Sequence, residues 1–584
     1  MVNKKRAKEK AKLDRIYLLT IAIFIFAVVS VVRLFDLQVL RHGYYEALAS
    51  GQHAISESLI AERGEIFVKD KFSDELYPIA QNQELNLVFA IPRKIEEPQE
   101  VLDKITPILE ITEEEVPMMM ERLSKEGDLY EPIRHLVADE KIEELKKLEI
   151  TGIDWVPENN RYYPEANTFS HLTGFWGYQS DIRVGQYGLE GYLDEQLSGS
   201  DGYLLAEKDA GGRFITIGQK FLEEAEDGDD FVLTIDRTVQ YYTCSKLKES
   251  VMKHGADQGS VIIQNPKTGA ILAMCNYPDF DPNLYNEVEN IEQYKNSAIY
   301  EAYEPGSVFK SITMASALDL GMVSPDTTYI DEGEVKIGPY TIKNSDGKAY
   351  GEQTMTQVLE ESLNTGAIHV VLMVGNERYY DYVNNFGFGE PIGLPLESEG
   401  NGNLSELAKL RDIYSATASY GQGLTVTPIQ LISAYSTFAN GGKLMQPYIV
   451  EEIRKNNGTI IQTEPREIRQ VISPQAANTL SAMLVSVIKN GHAQRAAVPG
   501  YFIAGKTGTA QVPKKNGVGY EASAHKDTFV GFGPISDPQF VMLTKLDNPR
   551  DVPWAASSAA PLFGDIAQFL VNYYQIPPET VIND

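Results

Sequence analysis

Cysteine is nearly missing from this chain: Cys244 and Cys275 are the only two in 584 residues, too few for a disulfide framework or a cysteine-rich metal site. Its eight histidines nowhere fall in a His-Glu-x-x-His pattern, and no Walker-type glycine loop ending in Gly-Lys-Ser/Thr occurs. No metal, nucleotide or other cofactor is therefore expected. Positive charge is also scarce, with 52 Lys and Arg against 82 Asp and Glu and a formal charge of -30. That balance excludes a general affinity for nucleic acid phosphates. No internal repeat is visible. What remains is ample apolar content, 43% of the residues, over a length that suits roughly two to four domains.

The few cations are concentrated at the start, where Lys4, Lys5, Arg6, Lys8, Lys10, Lys12 and Arg15 face only Glu9 and Asp14. Residues 16–32 then form an apolar run broken only by Thr20 and Ser30, and Leu34, Phe35, Leu37, Val39 and Leu40 extend its stripe. That length is at the short end for a bilayer span. Arg33 and Asp36 follow directly and the nearest Ala-x-Ala, Ala47-Leu48-Ala49, comes late, so an uncleaved anchor is expected over a cleaved signal peptide. The basic flank sets its direction: N-terminus in the cytoplasm, the rest of the chain outside.

Beyond the anchor, strand-like runs (Leu87-Val88-Phe89-Ala90, Ile153-Asp154-Trp155-Val156) alternate with charged helical stretches such as 139–148. Met118-Met119-Met120 suits core filling. The acidic stretch 223–230 predicts a solvated turn and a domain boundary before a strand at 231–235. A hairpin follows, with runs at 259–264 and 270–274 around Asn265-Pro266-Lys267-Thr268-Gly269. Helical periodicity covers 307–320, 356–370, 427–439 and 474–489, and strand-like runs return at 501–511, 529–532 and 540–545. Strands at both ends with helices between predict an antiparallel sheet whose first and last strands pair, beside a helical lobe.

Three short motifs carry candidate chemistry. In Glu304-Pro305-Gly306-Ser307-Val308-Phe309-Lys310, Pro and Gly place Ser307 at a helix start, and Lys310 three residues on shares its face. A serine needs an adjacent base, and lysine serves as one only when burial or a nearby cation lowers its pKa. Ser362-Leu363-Asn364 offers a hydroxyl and an amide, and Lys506-Thr507-Gly508-Thr509 a cation and hydroxyls on a small-residue strand edge suited to a peptide carboxylate. Two decoys are present: Ser245-Lys246-Leu247-Lys248 predicts helix surface, and Lys267-Thr268-Gly269 is accounted for by its turn. The true set stands apart by order and context, S-x-x-K, then S-x-N, then K-T-G, the trio of penicillin-binding proteins and β-lactamases.

With these residues in view, the chain resembles the class B penicillin-binding proteins, the monofunctional peptidoglycan D,D-transpeptidases of the division and sporulation branch. Arg63-Gly64-Glu65-Ile66, Arg161-Tyr162-Tyr163-Pro164, Gly188-Leu189-Glu190 with Asp194 and Leu197, and Leu233-Thr234-Ile235-Asp236 look like motifs of that family's pedestal. Ser419-Tyr420-Gly421-Gln422-Gly423-Leu424 and Phe529-Val530-Gly531-Phe532 look like its transpeptidase domain. Lys69-Asp70-Lys71-Phe72-Ser73-Asp74 departs from the Asp-Arg-Asn-Gly-like turn usual there.

The resemblance implies an α+β transpeptidase fold, an antiparallel sheet with flanking helices and an all-helical lobe, behind a mixed α/β pedestal and one transmembrane helix. The implied division is a basic tail (1–15), an anchor (16–40), a pedestal (41–230), a connecting segment (231–258), a transpeptidase domain (259–575) and a tail (576–584). No glycosyltransferase-like region or C-terminal PASTA-like repeat is expected.

In this reading Ser307 is the nucleophile, Lys310 the base, and Ser362 the proton relay, with Lys506 as the second cation. Asn364, Thr507, Gly508 and Thr509 bind the donor peptide. The partners implied are D-Ala-D-Ala stem peptides with an amine acceptor, β-lactams as covalent inhibitors, a SEDS-type membrane glycosyltransferase and division proteins. The competing expectations are a carboxypeptidase or β-lactamase-type hydrolase with the same nucleophile, and a non-catalytic scaffold or sensor.

Overall fold

The computed structural model describes residues 23–35, 54–180, 182–207, 220–514 and 519–580. The basic tail and much of the expected anchor lie outside them. Residues 23–35 of the anchor are helical, with Phe24 and Phe26 70% and 74% exposed. Among the described residues no helix is long and apolar enough to cross a membrane.

Two compact units are distinguished. The smaller, residues 1–62 with 199–227, holds an antiparallel sheet in which Gly202–Glu207 lies between Ala54–Leu59 and Lys220–Glu223.

The larger unit, residues 63–198 with 228–584, begins with a seven-stranded sheet. Its order runs Ile460–Gln462, Val450–Arg454, Asp230–Asp236, Ile66–Lys69, Tyr77–Ala90 and Glu131–Val137, with Ile153–Tyr162 also paired to Tyr77–Ala90. Ile66–Lys69 pairs in parallel with Asp230–Asp236, and the other pairings are antiparallel. Around Tyr77–Ala90 a separate core forms. Helix Pro98–Leu109 places Val101, Leu102, Ile105 and Leu109 on one buried face, a helical spacing, and Met119 fills the same core while Met118 is exposed.

The pedestal motifs, far apart in sequence, converge on one buried carboxylate. Glu190, fully buried, accepts from Arg63 Nε at 2.8 Å, Arg161 Nε at 2.7 Å and the Tyr163 hydroxyl at 3.2 Å. Arg63 also reaches Asp194 at 2.8 Å, and Gly64 N donates to Leu197 O at 2.8 Å. Burial alone would raise the Glu190 pKa, but the two guanidinium groups outweigh it and hold the group below its ordinary value. Asp236 caps the next helix by accepting from Val239 N at 3.0 Å, and it also accepts from Lys71 N, at 3.0 Å, in the unusual turn.

The helix so capped, α1 (Arg237–His254), leads into a five-stranded antiparallel sheet: β1 (Gln258–Gln264), β2 (Ile271–Tyr277), β3 (Ala504–Pro513), β4 (Tyr520–Gly533) and β5 (Phe540–Asp547), in the order β2-β1-β5-β4-β3. First and last strands pair as expected, Gln258 opposite Asp547 through Gln264 opposite Val541. Every residue of β5 is buried, so both faces are covered. On one side Phe540 meets Phe563, and the Thr544 hydroxyl donates to Ala559 O at 2.8 Å, both contacts with α7 (Ala559–Tyr573). The lobe is built from α2 (Lys310–Asp319), α3 (Met355–Glu360), α4 (Asn364–Val374), α5 (Pro428–Ala439) and α6 (Pro474–Asn490).

This lobe is not all-helical. Thr328–Asp331 pairs with Gly351–Thr354, and Glu334–Ile337 with Tyr340–Lys343. Short alternating runs such as Glu-Val-Lys-Ile carry too little apolar content to stand out from a loop in sequence, and buried Asp331 organises them by accepting from Asn344 Nδ2 at 2.9 Å and Tyr350 N at 2.9 Å. The helical pattern over 356–370 is likewise two helices, α3 and α4, broken at Ser362 and Leu363.

Cys244 of α1 and Cys275 of β2 form a disulfide across 31 residues, a link the sequence reading did not anticipate. Closing a loop of that length restricts the unfolded chain by about 3–4 kcal/mol in the chain-entropy model. Urea unfolding of the protein with and without reductant, or of Cys275→Ser, is expected to show a fall of that size. An unchanged midpoint would show that the bond does not stabilise the fold.

Candidate active site

A single turn of 3-10 helix, Gly306–Phe309, precedes α2 and carries Ser307, so side chains three apart are eclipsed and Lys310 lines up with Ser307. Two glycines allow the backbone to close around this turn. At Gly421, with φ +80°, a Cβ would lie 2.1 Å from Gly306 O. At Gly508 one would lie 2.7 Å from Pro305 O and 3.2 Å from Val308 N, so β3, the edge strand of its sheet, presses against the serine turn on either side of Ser307. The glycine-rich stretch after Ser419 therefore wraps the serine turn. Gly306 N donates to Gly421 O at 3.1 Å, and Gly423 N donates to the Glu304 carboxylate at 2.9 Å.

Ser362 ends α3 in a Schellman arrangement, with Leu363 N donating to Val358 O at 2.9 Å. The residue at that position has φ +57°, a left-handed conformation usually given to glycine. Holding a serine there places its hydroxyl between two lysines: Lys506 Nζ donates to Ser362 Oγ at 3.0 Å and Lys310 Nζ at 3.2 Å, and Lys310 also donates to Ser362 O. Both lysines are only 1% exposed, and among the described residues neither has a carboxylate within ion-pair distance. Burial, and then the charge of Lys506, holds the Lys310 pKa well below the usual lysine range. Burial pushes Lys506 down to about 7.

The sequence-predicted residues are thus assembled at one place, with two differences in detail. The Ser307 hydroxyl is half-buried and makes no hydrogen bond among the described residues, and Lys310 turns to Ser362 instead. Such contacts commonly form only once substrate is bound. The Thr509 hydroxyl accepts from Ala555 N at 3.0 Å, a partner at the start of the 3-10 turn Ala555–Ser557 that nothing in the motif announces. Asn364 is buried, its amide donating to Lys343 O at 3.0 Å, and Thr507 is half-buried, its carbonyl accepting from Lys506 Nζ at 3.2 Å. Of the decoys, Ser245 and Lys248 are exposed on α1, and Lys267 is an exposed turn residue paired with Asp537 at 2.5 Å. Among the described residues no cluster suits a metal ion.

A serine one 3-10 turn from a buried, carboxylate-free lysine, at the edge of an antiparallel sheet, defines a serine acyl-transfer enzyme of the penicillin-binding kind. Residues 259–568 match the family model of the penicillin binding protein transpeptidase domain, and residues 58–233 that of the penicillin-binding protein dimerisation domain. The chain belongs to this family and, with both domains, is a class B penicillin-binding protein.

Stage V sporulation protein D of Bacillus subtilis is 32% identical over 517 residues, covering 86% of this chain and 77% of the relative. The probable peptidoglycan D,D-transpeptidase PbpC of Pseudomonas aeruginosa is 33% identical over 442 residues, 75% of each chain. Among solved structures, penicillin binding protein 3 of Mycobacterium tuberculosis with aztreonam superposes at TM-score 0.69 and 25% identity, covering 90% of this chain and 99% of that one.

Proposed function

We propose that this chain is a serine-type peptidoglycan D,D-transpeptidase of cell-wall synthesis, crosslinking stem peptides through an acyl-enzyme on Ser307. The observation that carries the assignment is the pair of buried lysines meeting on one serine hydroxyl beside Ser307. Burying two lysine side chains together is costly for stability, so a chemical use for a neutral amine beside a charged one accounts for them.

Ser307 Oγ attacks the carbonyl of the terminal D-Ala-D-Ala bond as its proton passes to neutral Lys310. The backbone N-H groups of Ser307 and Thr509 hold the oxyanion, each such donor typically contributing about 3–4 kcal/mol. Ser362 relays the proton to the leaving amine, free D-alanine departs, and an ester remains on Ser307. Lys506 and the Thr507 hydroxyl hold the donor carboxylate against Gly508, and Asn364 holds the peptide backbone. An amine from a second stem then attacks the ester, gives up its proton through the same groups, and restores the serine.

Given a pentapeptide donor and an amine acceptor, the full chain is expected to yield crosslinked product with release of D-alanine. Free tetrapeptide alone would make it a hydrolase.

The anchor at 16–40, the cytoplasmic tail and an extracytoplasmic catalytic domain belong to this reading. The Cys244–Cys275 disulfide supports the last, since such bonds persist in oxidising compartments. The division into pedestal (41–230), connecting segment (231–258), transpeptidase domain (259–575) and tail (576–584) is supported by the two matched ranges, 58–233 and 259–568. A separate SEDS-type polymerase supplies the glycan strands, and division proteins are its companions.

A pH dependence follows from the lysines. Lysine is charged below its pKa, so rising pH frees Lys310, held well below the usual lysine range, as base, and through about 7 strips Lys506 of the charge that meets the donor carboxylate. The second-order rate of β-lactam acylation is expected to peak and then fall above about 7, the Lys506 value, and Lys506→Arg to lose the alkaline fall. A wild-type rate still climbing at pH about 9, where a Lys506 held so low is almost wholly neutral, would refute the assignment.

A further inference from the structure

The start of α4, which carries Asn364, is capped from another part of the lobe. A helix leaves its first N-H groups without partners, and a Ser, Thr, Asp or Asn just ahead of it usually accepts from one of them. Here that place belongs to Leu363, whose side chain cannot. Asn344, 21 residues back, does so instead: its Oδ1 accepts from Thr365 N at 3.2 Å, while its Nδ2 donates to buried Asp331 at 2.9 Å. The Thr365 hydroxyl gives its one proton to the same carboxylate at 2.6 Å. Tyr350 N and Gly333 N add two more donors, at 2.9 and 3.1 Å. Asp331 is 2% exposed, and among the described residues no Lys, Arg or His forms an ion pair with it. A carboxylate buried among neutral donors is costly where an apolar side chain could sit, and its place at the positive end of α4 offsets only part of that.

We infer that Asp331 is a positioning residue for donor recognition, acting on Asn364 through Thr365 and Asn344. The residue just before Asn344 completes the frame: Lys343 O accepts from Asn364 Nδ2 at 3.0 Å. Residues 343 and 344 are thus bonded to 364 and 365 in turn, and Asp331, which accepts from both Asn344 and Thr365, locks the two pairs together. One N-H of the Asn364 amide is spent in this frame, which fixes the plane in which the rest of the group meets a peptide. Without the carboxylate, Asn344 and Thr365 lose their common acceptor and the amide loses its register. The bonds of Lys310 and Lys506 to the Ser362 hydroxyl do not pass through the frame, so the attacking machinery is left in place. This rests on the proposed role of Asn364 in holding the donor's peptide backbone.

The test compares two β-lactams on the full chain: benzylpenicillin, whose side-chain amide corresponds to a peptide bond of the donor, and penicillanic acid, the same nucleus without that side chain. Asp331→Asn puts an N-H where four donors converge. It is expected to lower the second-order rate of acylation by benzylpenicillin about tenfold or more, and that by penicillanic acid less than about twofold. In an Asn364→Ala background the same change is expected to cost almost nothing further. No loss with benzylpenicillin, equal losses with the two β-lactams, or an undiminished loss in the Asn364→Ala background would overturn the inference, since a carboxylate that only supports the fold would act on both compounds alike. If Asp331→Asn does not fold, Thr365→Val, which keeps the shape of the side chain without its proton, is read in the same way. An Asn364→Ala variant that treats the two β-lactams alike would instead remove the underlying reading of Asn364.

Discussion

Ser307→Ala is expected to abolish both β-lactam labelling and crosslinking, with a loss of at least about 10⁴-fold, because the hydroxyl is the only atom in the proposed scheme that becomes covalently bound to the donor. Its neighbours cannot replace it. Ser362 Oγ is the other hydroxyl near the lysines, but it is held between Lys310 and Lys506 at 3.2 and 3.0 Å, on a backbone whose φ of +57° fixes its place at a helix end. Mass spectrometry of full-length protein after exposure to a fluorescent penicillin is the measurement: an adduct on the Ser307 peptide in the wild type and none in the variant. An adduct of equal yield in Ser307→Ala would move the nucleophile elsewhere. Since the Ser307 hydroxyl makes no hydrogen bond among the described residues, the variant should keep its melting temperature, so the loss can be assigned to chemistry.

The largest effect on stability is expected from Glu190→Ala. Removing this carboxylate leaves the Arg63 and Arg161 guanidinium groups, 7% and 4% exposed, without their shared partner. Breaking a buried pair in this way typically costs about 3–5 kcal/mol, because the abandoned charges stay out of water. Denaturant unfolding of the pedestal should show it. Glu190→Gln, which keeps an acceptor without charge, should fall between, and a change under about 1 kcal/mol in Glu190→Ala would mean that the arginines find other partners. The sign with pH can be worked out: Glu190 is held below its ordinary value of 4.5, so its contribution is complete above that pH and is lost as acid drives the folded group to protonate.

The residues of the proposed chemistry are local in sequence, and that is why they stand out there. Ser307 and Lys310 are three residues apart, the hairpin of β1 and β2 turns on Asn265-Pro266-Lys267-Thr268-Gly269, and the strand pattern at 540–545 is unbroken. What escaped were relations that only a three-dimensional register creates. Ser362 interrupts a continuous helical periodicity because Leu363 and Val358 close a cap, and no single residue in 356–370 signals it. The cysteine pair joins a helix to a strand. The alignment of β3 on β4, which sets Lys506 opposite Val530 and Thr509 opposite Asp527, is likewise visible only in three dimensions. The pedestal motifs were noticed as separate tokens, whereas their meaning is one ion cluster around Glu190. The entry of Val450–Arg454 into the first sheet pairs Asp230 with Arg454, far along the chain and beyond any periodicity.

That shared sheet has a practical consequence for anyone who wishes to cut the molecule. Val450–Arg454 comes from the catalytic half and Ile66–Lys69 from the pedestal, and Asp230–Asp236 is hydrogen-bonded to both. A protease or a deletion that removed everything before residue 231 would leave Asp230–Asp236 truncated and an unpaired strand edge beneath the catalytic lobe. Bare edges recruit other chains, so the catalytic half released in this way should self-associate rather than behave as an independent enzyme. The same continuity makes the pedestal a handle: a pull or twist on Ile66–Lys69 is passed through backbone hydrogen bonds to Asp230–Asp236 and on to Val450–Arg454.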